Sequence, residues 1–486
     1  MTMRAPCKLR SRPWLDRYII QRRMTRAWSL ALSLVVLGTG VGLGCRQSVR
    51  APADGASTTT TPTPTATTPA PSAIPPSTVA HDDAPGDPAP RPLRRCFSDR
   101  PAWEEAPVAD LLDRAGKLFD ADDFEGALAC SEEAARQARR SVEAHHDRAA
   151  ALLHLGRTDE ARDALALALA LDPDDTETLE ASADLYINQL SASADRSAIG
   201  LEHARRAFRR ASGHDRQRAS RLALLEGQAL IDLGRAEEAV RRLNVALQLS
   251  PKFDAAQYEK GVALFELCRF IEARRAFQKV AASSSDRAHA LYHLGLIEER
   301  EDEEDAAQGH FAEATSRDPV AFPQPPVVGP AEFAERVRRV VSELPEDARA
   351  DLSHAELETA DLPALDDLIA EKPPLSPTIL GLFRGLPMGF DGDANRRPQA
   401  ARAAKGRRPA TASAPATSSD DEQAQAQPER PQCAPSERAI VLYRRNLLRS
   451  VRDAAALDEA IRRTLLHELG HLRGEDDGSL RDRGLE

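Results

Sequence analysis

The stretch GQALIDLGRAEEAVRRLNVALQLSP, Gly227 to Pro251, decides the fold of the central part of this 486-residue chain. It places a glycine at Gly227, alanines at Ala239 and Ala246, and a proline at Pro251. The same pattern recurs at steps of 34 residues: Ala127, Ala161, Ala239, Ala273 and Ala307 share the register, apart from one irregular gap after Ala161. Seven residues beyond each stands Ala134, Ala168, Ala246, Val280 or Ala314. Gly261 and Gly295 repeat Gly227, and Pro173 and Pro319 repeat Pro251. Small residues at fixed places let two antiparallel helices approach closely. Large ones such as Leu264 and Phe277 fill the groove between units, and the proline ends the second helix. A single helix pair cannot bury its own apolar face, so the units are expected to stack into an α-solenoid over residues 107–320. One unit, at about 175–213, is irregular and lengthened by SASADRSAIG.

These positions resemble the tetratricopeptide repeat. The resemblance implies a concave surface that binds a protein or peptide partner.

Outside the array the composition changes. Residues 46–106 and about 392–435 are rich in Thr, Pro, Ala and Ser, which bury too little apolar surface to fold, and they read as a tether and an insertion. The net charge is −11 with both signs interspersed, so no basic face points to nucleic acid. The six cysteines, Cys7, Cys45, Cys96, Cys130, Cys268 and Cys433, are too sparse for a disulfide framework and form no CxxC pair. Cys130 and Cys268 fall inside repeats and are expected to be small core residues.

Ser29 to Leu43, SLALSLVVLGTGVGL, is an uncharged apolar run preceded by Arg22, Arg23 and Arg26. It is shorter than the ~20 residues of a membrane span and reads as a signal-peptide core within residues 1–45. It ends in GLGC, which resembles the bacterial lipobox, with Gly42 where that pattern prefers an aliphatic residue. The resemblance implies lipid on Cys45, a membrane anchor and a location in the bacterial cell envelope. Met24 is a candidate start.

A proline-rich hinge, Phe322 to Pro330, leads into a domain at residues 331–486. Phe333, Val337, Val340, Val341 and Leu344 fall on one face of a helix stopped by Pro345. Ala439 to Tyr443 reads as a strand and Leu457 to Leu472 as a helix. That helix carries HELGHLRGEDD, His467 to Asp477. His467 and His471 are four apart and project from one helical face, where two imidazoles can share a zinc ion. Glu468 is offset around the helix, as a general base acting on a metal-bound water requires. Gly474 suits a left-handed C-cap, after which the chain can return Asp477 as third ligand, with Glu475 and Asp476 as neighbouring alternatives. A bare HExxH arises by chance in on the order of 2% of chains of this composition; the added Gly and Asp lower that to about one in ten thousand.

Taken with LPED (Leu344 to Asp347), EKPP (Glu371 to Pro374), GLFRGLPM (Gly381 to Met388), IVLYRRNLLRS (Ile440 to Ser450) and RRTLLHELGHLRG (Arg462 to Gly474), the motif resembles the minimal zincin-like metallopeptidase family, with the pattern HExxHxxGxxD. The resemblance implies a small α+β zincin-like domain, zinc held by His467, His471 and Asp477, and Glu468 as catalytic base. Leu472 departs from the second histidine common there, and the insertion at 392–435 is long. The expected protein is a multidomain, membrane-tethered zinc metallopeptidase whose repeats bind a partner or substrate. The alternative is a scaffold lipoprotein with an inactive zincin-like domain.

Overall fold

In the computed structural model, residue 96 and residues 106–191, 193–283, 287–389 and 438–485 are described. The signal-like run, the candidate lipidation site Cys45 and the two low-complexity tracts lie outside them. Among the described residues no helix is long and apolar enough to cross a membrane.

The array consists of six helix pairs: α1 (Val108–Asp120) with α2 (Phe124–Gln137), α3 (Val142–His154) with α4 (Thr158–Leu171), α5 (Thr176–Asp184) with α6 (Ala194–Ala211), α7 (Arg216–Asp232) with α8 (Ala236–Leu249), α9 (Asp254–Glu266) with α10 (Phe270–Ser283), and α11 (Arg287–Arg300) with α12 (Glu304–Arg317). Local chemistry starts several of them. Asp123, Ser141, Asp175 and Asp215 each accept a hydrogen bond from a backbone N–H three residues on, satisfying one otherwise orphaned donor. The five register alanines are all buried, at 2% exposure or less. In α6 the irregular unit keeps the same device as Ala204 and Ala211, seven residues apart and buried. Its extra length begins with a π-helical turn at Leu185–Gln189.

The glycines of the motif are required by close approach. A Cβ on Gly261 would stand 2.6 Å from Cε1 of Phe277, and one on Gly295 2.7 Å from Cε1 of Phe311. The helix-to-helix turns share a second device. Asp122, Gly156, Gly234, Cys268 and Asp302, at corresponding positions of five units, all have φ between 56° and 75°. First helices of successive units pack against one another, α1 on α3, α3 on α5, α5 on α7 and α7 on α9, whereas no consecutive second helices do so to that extent among the described residues. The first helices therefore crowd the inside of a curved solenoid.

The two cysteine expectations part ways. Cys130 is a fully buried core residue as expected, and it is also bonded to Cys96 in a disulfide that ties the chain ahead of α1 to α2. The pair lay unrecognised because each partner looked isolated in the sequence. Cys268 is not a core residue; it is a half-buried turn residue with φ 56°.

The C-terminal domain runs α13 (Pro330–Ser342), α14 (Glu346–Leu352), β1 (Glu356–Ala360), α15 (Leu365–Ile369), β2 (Gly381–Arg384), β3 (Ala439–Tyr443), α16 (Arg444–Arg449), α17 (Ala454–Arg473) and α18 (Asp477–Asp482). The sheet order is β1-β3-β2, with β1 parallel and β2 antiparallel to the central strand. β3 is buried along its whole length, as its run of apolar residues requires. Phe333, Val337, Val340 and Leu344 pack with Ile440, Leu442, Leu457, Ile461, Leu465, Leu469 and Leu472 in one core, so α17 lies across the sheet. α17 begins three residues before the expected Leu457, because the side chain of Asp453 caps it through the N–H groups of Ala455 and Ala456.

Candidate metal centre

α17 carries His467 and His471 on a half-buried face and Glu468 on its buried side. The Nε2 atoms of the two histidines are 3.1 Å apart. Nδ1 of His467 lies 2.7 Å from the carbonyl oxygen of Leu485, and Nδ1 of His471 lies 3.1 Å from that of Glu475. A carbonyl only accepts, so each Nδ1 carries the proton and donates it. Both Nε2 atoms then present lone pairs to each other, an arrangement that repels unless a cation sits between them. Carbonyl-anchored Nδ1–H groups are also what fixes metal-binding imidazoles. Oδ1 of Asp477 stands 3.3 Å from Nε2 of His471 and 3.9 Å from Nε2 of His467. One ligand atom from each of the three residues lies within 4.8 Å of the others. Two imidazole nitrogens and a carboxylate are a donor set of the kind that catalytic zinc sites use, so the three residues could hold such an ion.

Two glycines allow this geometry. Gly474 ends α17 at φ 87°, the left-handed cap that turns the chain back. A Cβ on Gly470 would lie 2.2 Å from Cδ2 of the buried Leu480, so the glycine lets α18 cross α17 and bring Asp477 to the histidines. The two alternatives for third ligand are engaged elsewhere. Asp476 caps α18 through the N–H of Ser479 at 2.8 Å, and Glu475 pairs with Arg483 at 2.6 Å.

Glu468 is 6% exposed. Burial pushes its carboxyl up to about 8; a hydrogen bond from the N–H of Phe383 opposes the rise, and the Asp477 carboxylate adds to it. A divalent cation beside the histidines would pull it down again. β2 closes over this residue because position 381 is glycine, where a Cβ would stand 3.0 Å from Oε1 of Glu468 and 2.7 Å from Cγ2 of Thr464. His467, His471 and Asp477 thus converge, with Glu468 behind them facing β2. Sequence reasoning missed the Leu485 carbonyl and the Phe383 amide, which are backbone groups and carry no residue signal. Gly470, inside the motif, and Gly381, at the head of β2, are the residue-level signs of these close approaches.

Comparison with known proteins agrees in both parts. A family model described as zincin-like metallopeptidase matches residues 416–485, and one described as tetratricopeptide repeat matches residues 142–185. Among curated proteins, none matches this sequence. Similar solved structures include Pseudomonas aeruginosa pilF, at 15% identity over 48% of this chain and 97% of that one, TM-score 0.37. PilW, described as a type IV pilus biogenesis factor, gives 19%, 45%, 96% and 0.39 in the same terms. YrrB, described as a tetratricopeptide repeat protein with an unusual peptide-binding site, gives 18%, 39%, 93% and 0.31. The fold defines a helical-repeat protein with a small α+β domain at its C-terminal end. In family terms, the chain carries a tetratricopeptide repeat region and a C-terminal zincin-like metallopeptidase domain.

Proposed function

We propose that this protein is a zinc-dependent metallopeptidase, anchored to a membrane of the bacterial cell envelope through lipid on Cys45, whose repeats bind a protein partner or substrate. The observation that carries the reading is the pair of Nε2 lone pairs 3.1 Å apart, beside the Asp477 carboxylate. The Cys96–Cys130 disulfide supports export, because such bonds persist in oxidising compartments.

His467, His471 and Asp477 would hold the ion. When bound, zinc supplies Lewis acidity toward a carbonyl and lowers the pKa of water to about 7. Glu468 takes the proton of the attacking water and returns it to the departing amine nitrogen. Its burial favours the protonated form midway, and the Phe383 N–H fixes the orientation of the carboxylate. The exposed edges of His467, His471 and Asp477 leave the site open to a chain from solvent.

The test is metal content together with Glu468→Gln. Stoichiometric zinc in both forms, and peptide hydrolysis reduced by ~10²–10⁴ in the variant, are expected. Absence of bound metal would overturn the reading. One observation favours the scaffold alternative: Glu468 is buried against the sheet and hydrogen-bonded to it. A zinc-loaded protein without hydrolysis of any peptide in a broad library would select that alternative.

A further inference from the structure

The last two repeat units end in an acidic edge, and α16 of the C-terminal domain lies against it with two arginines. Glu299, at the end of α11, has a side chain only 2% exposed; it takes Arg445 at 2.7 Å and Arg449 at 2.5 Å. Glu304, which opens α12, takes Arg445 at 2.8 Å. The Arg449 guanidinium also sits 5.1 Å over the ring of Phe311 in α12. The loop between β1 and β2 docks beside them. Arg300 donates to the carbonyl of Pro363 at 2.6 Å, and Ser376 donates to the Glu266 carboxylate at the end of α9. Arg444 and Arg445 both hold Asp361 in that loop, and Asn446 donates to the carbonyls of Pro377 and Ile379.

Nearly all of these array groups sit at the ends of first helices or the starts of second helices. Every other unit leaves that edge without a second domain among the described residues. A carboxylate as buried as Glu299 has lost its water, and only paired cations make that tolerable. A covalent connector alone would not require such pairing. We propose that the ligand of the last two repeat units is the protein's own C-terminal domain. Glu299 and Glu304 are the recognition groups for Arg445 and Arg449. The C-terminal domain then occupies that edge of the last two units, and a further partner meets only the surfaces it leaves free. The proposal names one partner of the array assigned above, but it does not depend on peptidase activity.

The test is to cut the connector in the full-length protein. Pro323, Gln324, Pro325 and Val327 are exposed, so the recognition sequence of a specific protease can replace residues 323–327. After cutting, the two halves of the parent protein should co-elute at micromolar concentration. They should separate in the double variant Glu299→Gln, Glu304→Arg, with Kd raised at least tenfold. Both substitutions lie in the array, so zinc content of the C-terminal half reports whether that half stays folded. Separation of the parent halves would overturn the dock. An unchanged Kd in the double variant would overturn the assignment of its recognition groups.

Discussion

The carbonyl oxygen of Leu485 lies 2.7 Å from Nδ1 of His467, eighteen residues beyond the ring it orients. Ending the chain at Asp482 removes this acceptor and lets the imidazole rotate or change tautomer. Zinc affinity is expected to fall by ~10–100-fold, the usual effect of losing such an outer partner. Competition with a chromophoric chelator measures it; equal affinity would show that the carbonyl is dispensable.

Asp477, Glu475 and Asp476 are adjacent but differently employed, so the third ligand can be assigned by comparison. Asp477→Asn should weaken zinc binding by at least tenfold. Asp476→Ala removes a helix cap and should cost about 1 kcal/mol of local stability with little change in metal affinity. Glu475→Gln loses an ion pair with a half-exposed arginine and should do less. If Glu475→Gln proves the most damaging of the three, the assignment to Asp477 is wrong.

Gly261 has no room for a methyl group beneath Phe277. Gly261→Ala should destabilise the array by ~1–3 kcal/mol through overpacking. Combining it with Phe277→Leu should recover part of that loss, because the ring is the obstacle. Thermal unfolding of the two variants, followed by circular dichroism, decides between this packing account and a merely local helix effect.

His293 is held below its ordinary range, at about 4, chiefly by burial among aromatic rings; Phe277 stacks on it at 4.8 Å. The unfolded chain, with a histidine near 6.5, binds more protons than the folded one between those values. Stability is therefore complete above about pH 6.5 and falls as pH drops toward 4. The full shift would be worth about 3 kcal/mol, and the partly exposed ring lowers the expectation to ~2 kcal/mol. Urea midpoints at pH 7.5 and 4.5 should differ less in His293→Phe than in the parent.

Much of this architecture is legible in the sequence because packing there demands residue types. The 34-residue alanine register is buried in all five regular units, and Gly474 adopts the predicted cap. The strand Ala439–Tyr443 falls where its apolar run lies. β1 and β2 were not legible: Glu356–Ala360 is polar and half-exposed, and Gly381–Arg384 is only four residues long. The groups that orient His467 and Glu468, the Leu485 carbonyl and the Phe383 N–H, are main-chain atoms, to which composition is blind. The disulfide depended on a distance between distant cysteines, and Cys268 looked apolar although its turn demanded an unusual backbone angle.

The bond between Cys96 and Cys130 also determines where mechanical load enters the molecule. A pull along the chain preceding Cys96 is transmitted covalently to the middle of α2. It bypasses α1, whose N-terminus has no side-chain cap. Without the bridge, the same pull would peel α1 from the end of the array one turn at a time. With it, the force is shared across the first helix pair, so the solenoid withstands tension at the end where it is joined to the rest of the chain.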